Sequence, residues 1–255
     1  MYTQIHLVSI LITMLFSIYI GHKTGIKKGT TLLFTMFSFM VTYIILRVIP
    51  IFEYGEIGSL NMVKIYAFSP PVYYIAGKIF RIDFRTACDL HGIWPMLLFG
   101  LSHLACIPEG CCGSYQFAEG TVMYKIAFAL TGTATPPNQL FESVAGLIIC
   151  IAMFIIAYRH NFRMNGRLYF IMIIVYGVQR FFWEFLRNNN KIIVFGKMPG
   201  AVSGDLGLSD LSFYCIAMIT VGIAFLIALH MIDKKKAQTN KSETNTETAA
   251  TKAKI

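Results

Sequence analysis

The stretch from Leu168 to Asn190, LYFIMIIVYGVQRFFWEFLRNNN, places charged residues inside an apolar run and so constrains the fold most strongly. Fifteen of its first nineteen residues are apolar, yet Arg180 and Glu184 lie four positions apart and Arg187 follows three later. On a helix this spacing puts all three side chains on one face. A charge near the bilayer centre costs roughly 2.5 to 3.5 kcal/mol on insertion scales, so this face should meet a partner or a watery cavity. Two interpretations stay open, a structural ion pair that joins two helices and a functional site.

The composition indicates a membrane protein with several spans. The chain of 255 residues is 56% hydrophobic and only 14% charged, whereas a soluble domain of this size has about 25% charged residues. The net charge of +9 comes from Lys and Arg in short clusters between apolar runs. Clusters of this kind are typical of cytoplasmic loops and not of a basic surface that binds nucleic acid. We therefore predict a membrane-embedded protein with no nucleic-acid partner.

Seven apolar runs are long enough to cross about 30 Å of hydrocarbon. They cover, approximately, residues 5–20, 31–52, 62–80, 88–107, 139–157, 168–190 and 211–232. The first is interpreted as a retained span, because no basic segment precedes it and no A-x-A site follows. The third contains Pro70-Pro71 and is predicted to be bent or partly re-entrant. The sequence thus predicts an all-α polytopic membrane protein, with a single domain over residues 1–232 and about seven transmembrane helices.

The distribution of basic residues predicts the orientation of the spans. Lys and Arg cluster after the first, third, fifth and seventh runs, which places the N-terminus outside and the C-terminus in the cytoplasm. Residues 115–136 are aromatic but lack a sustained apolar run, so they are predicted to form a short arm at the outer interface. Residues 233–255 are polar and basic and are predicted to be a disordered cytoplasmic tail.

The segment FGLSHLACIPEGCCGS brings a histidine and three cysteines together. His103 lies within an apolar helix, where an imidazole can act as an acid, a base or a phosphate contact; the alternative is a packed core histidine. A zinc site would need His103, Cys106, Cys111 and Cys112. Vicinal cysteines chelate one tetrahedral ion poorly and no C-x2-C spacing exists, so we predict no metal.

The segment PPNQLFE, residues 136–142, precedes the fifth run. Gln139 and Glu142 lie one helical turn apart, and we predict that both lie at the rim of the site formed by Arg180. The alternative is a plain helix start, with the prolines and Asn138 serving as capping residues. Tyr176 lies one turn before Arg180, whose planar guanidinium suits a phosphate group.

The later motifs resemble a known family. PxQLFE, an Arg-rich loop, GRLYF and YGVQRFFWEFLR follow one another as in the C-terminal half of the prolipoprotein diacylglyceryl transferases, and the resemblance covers about residues 87–232. It implies transfer of a diacylglyceryl group from phosphatidylglycerol to the lipobox cysteine thiol of a prolipoprotein. It also implies a bacterial cell membrane location, a prolipoprotein signal peptide and an anionic phospholipid as partners, and no cofactor.

The same resemblance assigns roles to residues of this chain. Arg180 matches the essential arginine of the family and Glu184 its acidic companion, while His103 stands where the signature arginine is expected; these three are the predicted catalytic residues. The residues predicted to bind substrate are Gln139, Glu142, Tyr176, Arg187, Cys106 and Gly110. The His-Gly-Gly of the family has no match, because Phe68-Ser69-Pro70-Pro71 occupies that region.

Three other readings stay open. A related protein of the same fold could bind an anionic lipid or a lipidated partner without turnover, which the missing motif residues favour. A transporter would line its path with Arg180 and Glu184, and it predicts inverted repeats that the two halves do not show. Arg187 could also merely extend its guanidinium to interfacial water.

Overall fold

The computed structural model describes residues 2–54, 62–109, 114–188 and 190–252. Over these ranges the chain forms nine α-helices and one antiparallel pair of β-strands. In chain order they are α1 (Tyr2–Lys23), α2 (Lys28–Tyr54), α3 (Met62–Phe80), α4 (Phe84–Leu90), α5 (Trp94–Glu109), α6 (Val122–Thr131), α7 (Asn138–Arg159), α8 (Arg167–Glu184), β1 (Ile193–Lys197), β2 (Asp205–Leu208) and α9 (Asp210–Lys252). The dominant helical architecture agrees with the sequence prediction.

Five segments of the described chain are long and apolar enough to cross a membrane by length and composition. They are Thr3–Lys23, Lys28–Ile45, Phe84–Ile107, Asn138–Arg159 and Asp210–Thr239. The chain is thus a helical multi-pass membrane protein, but the predicted count of seven spans is not confirmed. The helices α3 and α8 lie at the predicted third and sixth spans, yet α3 contains two prolines and two lysines and α8 contains three charged residues.

Helix α3 continues through Pro70 and Pro71, where the sequence predicted a bend or a re-entrant segment. Pro70 has no N–H, so it cannot donate a hydrogen bond to the carbonyl of Tyr66 one turn earlier. The hydroxyl of Tyr169 in α8 donates to that carbonyl at 2.5 Å, and it lies 2.9 Å from the hydroxyl of Ser69. A side chain of the neighbouring helix therefore satisfies the backbone group that the proline leaves unpaired.

Replacing Tyr169 with phenylalanine should lower the free energy of unfolding by about 1–3 kcal/mol, because the buried Tyr66 carbonyl loses its closer donor and keeps only the Ser69 hydroxyl at 3.4 Å. The measurement is thermal unfolding of the purified protein in detergent micelles. Tyr158→Phe is the matched control, since the Tyr158 ring is 64% exposed. Equal melting temperatures for the two variants would show that the Tyr169 hydroxyl does not support α3.

The predicted fourth span consists of two helices, α4 and α5, which the turn at His91, Gly92 and Ile93 separates. A Cβ added at Gly92 would lie 2.7 Å from the backbone nitrogen of Tyr169, so the turn packs directly against the start of α8. The buried His91 ring stacks on Tyr73 with centroids 3.8 Å apart. The sequence shows this break only as a glycine after a histidine, which is a weak signal within an apolar run.

Asp89, at the end of α4, binds the start of α8. Its buried carboxylate accepts hydrogen bonds from the backbone N–H groups of Asn165, Gly166 and Leu168 at 2.7–2.8 Å, and from Tyr169 at 3.4 Å. These N–H groups lie at a helix start, where no earlier carbonyl of the helix is available to them. Negative charge also suits the positive end of the helix dipole. Asp89 thus fixes the position from which α8 begins.

The segment from Ser114 to Pro137 forms the predicted arm around the short helix α6. Val122 and Phe128 expose their apolar side chains, as expected for an interfacial element. Isolated β-bridges pair Ser114 with Arg187 and Phe117 with Ala201. The arm therefore contacts the segment that follows α8, which contains the β1–β2 hairpin that the sequence did not predict.

The last helix, α9, extends further than the sequence indicates. It continues to Lys252, well beyond the apolar segment that ends at Thr239. The polar part contains Lys, Ala and Glu, which favour helix, but also as many Thr as Lys, so its helix continues one that the apolar span has already nucleated. The disorder predicted for residues 233–255 stays a prediction, which amide hydrogen exchange would test.

Candidate active site

Arg180 is the buried centre of a charged cluster between α7 and α8. Its side chain is only 6% exposed, and its Nη1 donates a hydrogen bond to Glu142 Oε1. Its Nη2 lies 3.2 Å from Glu184 Oε2, one turn further along α8. The spacing predicted the second of these contacts. The guanidinium therefore joins a carboxylate of its own helix to a carboxylate of α7.

Arg187 approaches the same carboxylate from the residues just after α8. Its Nη2 and Nε lie 3.0 Å and 3.3 Å from Glu142 Oε1, and its side chain is 18% exposed. The alternative in which Arg187 only extends to water is therefore wrong. Two guanidinium groups share one carboxylate oxygen.

His103 contacts the other oxygen of Glu142. Its Nε2 lies 2.8 Å from Glu142 Oε2, and its Nδ1 lies 2.9 Å from the carbonyl oxygen of Phe99. A carbonyl oxygen only accepts hydrogen bonds, and so does a carboxylate held ionised by two arginines. Nδ1 is therefore the donor to Phe99, and the contact between Nε2 and Glu142 Oε2 is an ion pair when the imidazole is protonated. The side chain is 14% exposed, so it faces the cluster and not lipid.

Glu142 is the residue that connects the whole cluster. Its fully buried carboxylate contacts Arg180, Arg187 and His103, and so links α5, α7 and the end of α8. Sequence reasoning placed Glu142 only at the rim of the site. The missed signal was a carboxylate at the start of a long apolar helix, since such a group needs a cation for the same reason that Arg180 needs an anion.

Two further residues that the sequence analysis did not single out complete the cluster. The hydroxyl of Ser209, just before α9, donates to Glu184 Oε1 at 2.9 Å. The ammonium group of Lys191 donates to the backbone carbonyls of Glu184 and Arg187 at 2.9 Å and 3.1 Å. Partial burial lowers the pKa of Lys191 from its ordinary value, while the nearby Glu184 carboxylate opposes that shift.

The cluster carries a surplus of positive charge. Arg180, Arg187 and Lys191 surround the carboxylates of Glu142 and Glu184, so three cations oppose two anions, and a protonated His103 adds a fourth. Guanidinium groups that carboxylates hold in place present N–H donors in a fixed geometry, which suits phosphate oxygens. An anionic group such as a phosphate would balance this surplus of positive charge.

Tyr176 and Gln139, which were also predicted to bind substrate, lie on the two helices that carry Arg180 and Glu142. Tyr176 is buried, and its ring packs edge-on against Phe99 and Tyr66 with centroids 5.1 Å and 5.3 Å apart. Gln139 is half-buried in the first turn of α7, three residues before Glu142. Tyr176 therefore belongs to the group of packed aromatic side chains, with Phe99 and Tyr66, that lies next to His103.

The cysteine-rich segment contributes little to the described site. The Cys106 thiol donates to the carbonyl of Ser102, 3.9 Å away in its own helix. Gly110, Cys111 and Cys112 lie outside the described residues. Within the described ranges, no three His, Cys, Asp or Glu side chains lie close enough to hold a metal ion.

Comparison with known proteins identifies the family. A family model described as prolipoprotein diacylglyceryl transferase matches residues 1–228. The chain is similar to phosphatidylglycerol–prolipoprotein diacylglyceryl transferase 2 of Clostridium perfringens (strain 13 / Type A), with 25% identity over 139 residues, 54% of this chain and 49% of the relative. It is also similar to the phosphatidylglycerol–prolipoprotein diacylglyceryl transferase of Clostridium tetani (strain Massachusetts / E88), with 27% identity over 94 residues, 36% of this chain and 37% of the relative. The matched parts therefore span half or less of these curated relatives. Because the family model covers most of the chain, the protein belongs to the prolipoprotein diacylglyceryl transferase family.

Proposed function

We propose that this protein transfers a diacylglyceryl group from phosphatidylglycerol to the lipobox cysteine thiol of a prolipoprotein. The family and the names of the two clostridial relatives support this assignment. The observation that carries it is the surplus of buried positive charge around Glu142, which an uncharged or cationic substrate would not need. The lipid phosphate is the group that this charge accommodates.

The graded exposure of the cations indicates how the phosphate enters. The side chains of Arg187 and His103 are more exposed than that of Arg180, which lies deepest. The phosphate therefore meets Arg187 and His103 first and Arg180 last. Glu142 and Glu184 hold the two guanidinium forks in position, so little reorganisation is needed when the anion binds.

The reaction replaces a carbon–oxygen bond with a carbon–sulfur bond. The cysteine sulfur attacks the glycerol carbon that carries the phosphate ester, the ester bond breaks, and glycerol phosphate leaves. Negative charge grows on the departing phosphate oxygen, where Arg180 and Arg187 stabilise it. The imidazolium of His103 gives its proton to the leaving phosphate and regains one from the thiol, so the thiol proton ends on glycerol phosphate. These steps use no metal or organic cofactor.

The membrane arrangement is part of the same proposal. A single domain over residues 1–232, with seven spans including α3 and α8, would sit in the bacterial cell membrane with the N-terminus outside and the C-terminus in the cytoplasm. The positions of the basic clusters support this orientation. The charged cluster and the arm then lie near the outer leaflet, where a prolipoprotein signal peptide can present its cysteine.

Replacing Arg180 with lysine should lower the rate of transfer about 10²–10³-fold, because lysine keeps the charge but loses the planar pair of donors. The measurement is transfer of labelled diacylglyceryl from phosphatidylglycerol to a lipobox peptide. Arg159→Lys is the control, since Arg159 is exposed at the opposite end of α7. Full activity in the Arg180 variant would remove the proposed mechanism.

A non-catalytic lipid-binding protein of the same fold is the second candidate, and the state of Ser69 favours it. In the region where the resemblance leads us to expect a histidine, Ser69 is buried and its hydroxyl contacts the Tyr169 hydroxyl at 2.9 Å. Expression in a strain that lacks the transferase separates the two functions. Rescue of growth supports the enzyme, whereas failure despite normal membrane levels supports the lipid-binding protein.

A further inference from the structure

Asn138, the first residue of α7, has a buried carboxamide without a hydrogen-bond partner in the described part of the chain. The residue is 0% exposed, and neither Nδ2 nor Oδ1 forms a hydrogen bond with any described residue. Buried side-chain polar atoms in folded proteins nearly always have a partner, so a fully unpaired amide needs an explanation. The Asn138 amide therefore presents a donor and an acceptor side by side at a position that solvent does not reach.

Helix capping, the ordinary role of asparagine at a helix start, does not explain this residue. The N-cap of α7 is Pro137, and no side chain makes a capping hydrogen bond there. The backbone N–H of Asn138 donates to the carbonyl of Pro136 at 2.9 Å, while the side chain stays unpaired. The helix does begin at this segment, with Pro137 as its N-cap, but the predicted capping role of the Asn138 side chain is wrong. An unpaired buried amide destabilises the folded state, and features of that kind concentrate where a ligand binds.

The position of Asn138 connects it to the charged cluster. It lies four residues before Glu142, so both side chains leave the same face of α7, about 6 Å apart along the helix axis. Arg180, which Glu142 binds, also has one buried atom without a hydrogen-bond partner, its Nε. The amide thus lies one helical turn beyond the place where the lipid phosphate is proposed to bind.

We infer that Asn138 binds a hydroxyl group of the alcohol esterified to the lipid phosphate and so selects lipids with a hydroxylated head group. A hydroxyl both donates and accepts, which satisfies both atoms of the amide, whereas an ester carbonyl satisfies only the donor. The glycerol head group of phosphatidylglycerol carries two such hydroxyls close to its phosphate. This inference rests on the proposed function for the position of the phosphate.

The test compares two lipids with the same phosphate charge. Phosphatidylglycerol has head-group hydroxyls and phosphatidylethanol has none, and binding of each to the purified protein is measured by native mass spectrometry. The wild-type protein should prefer phosphatidylglycerol at least about tenfold, as one buried hydrogen bond requires. Asn138→Leu should bind both lipids equally and melt at the same or a higher temperature, because it removes an unpaired amide. Asn138→Ser should keep part of the preference, since serine also donates and accepts.

Gln179→Leu is the matched control. Both polar atoms of its amide are also buried and unpaired within the ranges that the structure describes, but it leaves α8 about 100° around the helix from Arg180. This variant should keep the wild-type preference. An unchanged preference in Asn138→Leu, or a clearly lower melting temperature, would overturn the inference and make the residue structural.

The binding assay needs no turnover, so it separates this inference from the proposed reaction. A wild-type protein that prefers phosphatidylglycerol through Asn138 but transfers nothing would refute the reaction and support the inference. A protein that transfers normally while Asn138→Leu keeps its preference would refute the inference alone.

Discussion

Replacing Glu142 with glutamine is expected to lower the free energy of unfolding by about 3–5 kcal/mol, because Arg180, Arg187 and His103 lose the carboxylate that they share. Glutamine has nearly the same shape, but it carries no charge and turns an N–H₂ group towards one of these donors. Arg180 is the most affected, since Glu184 is then its remaining carboxylate contact. Transfer should also fall by at least about 10²-fold, because Arg180, Arg187 and His103 lose the group that positions them.

A double variant distinguishes charge imbalance from a change of shape. Adding Arg187→Gln to Glu142→Gln removes one of the uncompensated cations, so part of the stability should return, with a coupling energy of about 0.5–3 kcal/mol. Glu119→Gln serves as a control at an exposed carboxylate and should unfold like the wild type. The readout is thermal unfolding in detergent together with the transfer assay. If Glu142→Gln has the same melting temperature as the wild type, Glu142 does not connect the cluster.

The contacts within α8 could be predicted from the sequence, because they depend on local spacing. Arg180 and Glu184 are four residues apart in an apolar run, and helix geometry brings such residues together whatever the rest of the fold does. The bounds of α3, Met62–Phe80, agree with the predicted third run for the same reason. Periodicity and length therefore predicted the elements that depend on neighbouring residues.

The contacts between helices could not be predicted in this way. Glu142 reaches Arg180 across 38 positions, and Tyr169 reaches Tyr66 across 103. No hydrophobic or polar periodicity in the sequence connects residues that are this far apart. The role of Glu142 depends on how α5, α7 and α8 pack, and the unpaired amide of Asn138 appears only once its surroundings are known. The sequence did indicate that each buried charged side chain needs an oppositely charged partner.

Replacing Asp89 with alanine is expected to lower the free energy of unfolding by about 3–5 kcal/mol, because several buried N–H donors at the start of α8 lose their acceptor together. The carboxylate accepts from four backbone N–H groups, and no side chain caps this helix at its N-cap residue, Gly166. Asp89→Asn keeps one acceptor oxygen, so it should lower the free energy of unfolding by distinctly less than Asp89→Ala. Asp83→Ala is the matched control. Asp83 caps α4 by accepting a single exposed hydrogen bond from the backbone N–H of Thr86, so this variant should lower the free energy of unfolding by about 0.5–2 kcal/mol.

The same variant tests whether the start of α8 positions the charged cluster at its other end. Helix α8 is continuous over the thirteen positions from Arg167 to Arg180, so a shift or rotation at its start is expected to move the guanidinium relative to Glu142. Asp89→Ala protein that remains folded at low temperature should therefore transfer more slowly than wild type, although Asp89 lies far from the cluster along α8. Asp83→Ala should show normal transfer at that temperature. Normal transfer in folded Asp89→Ala would mean that packing against α7 and α9 alone sets the position of Arg180, and that Asp89 serves only stability.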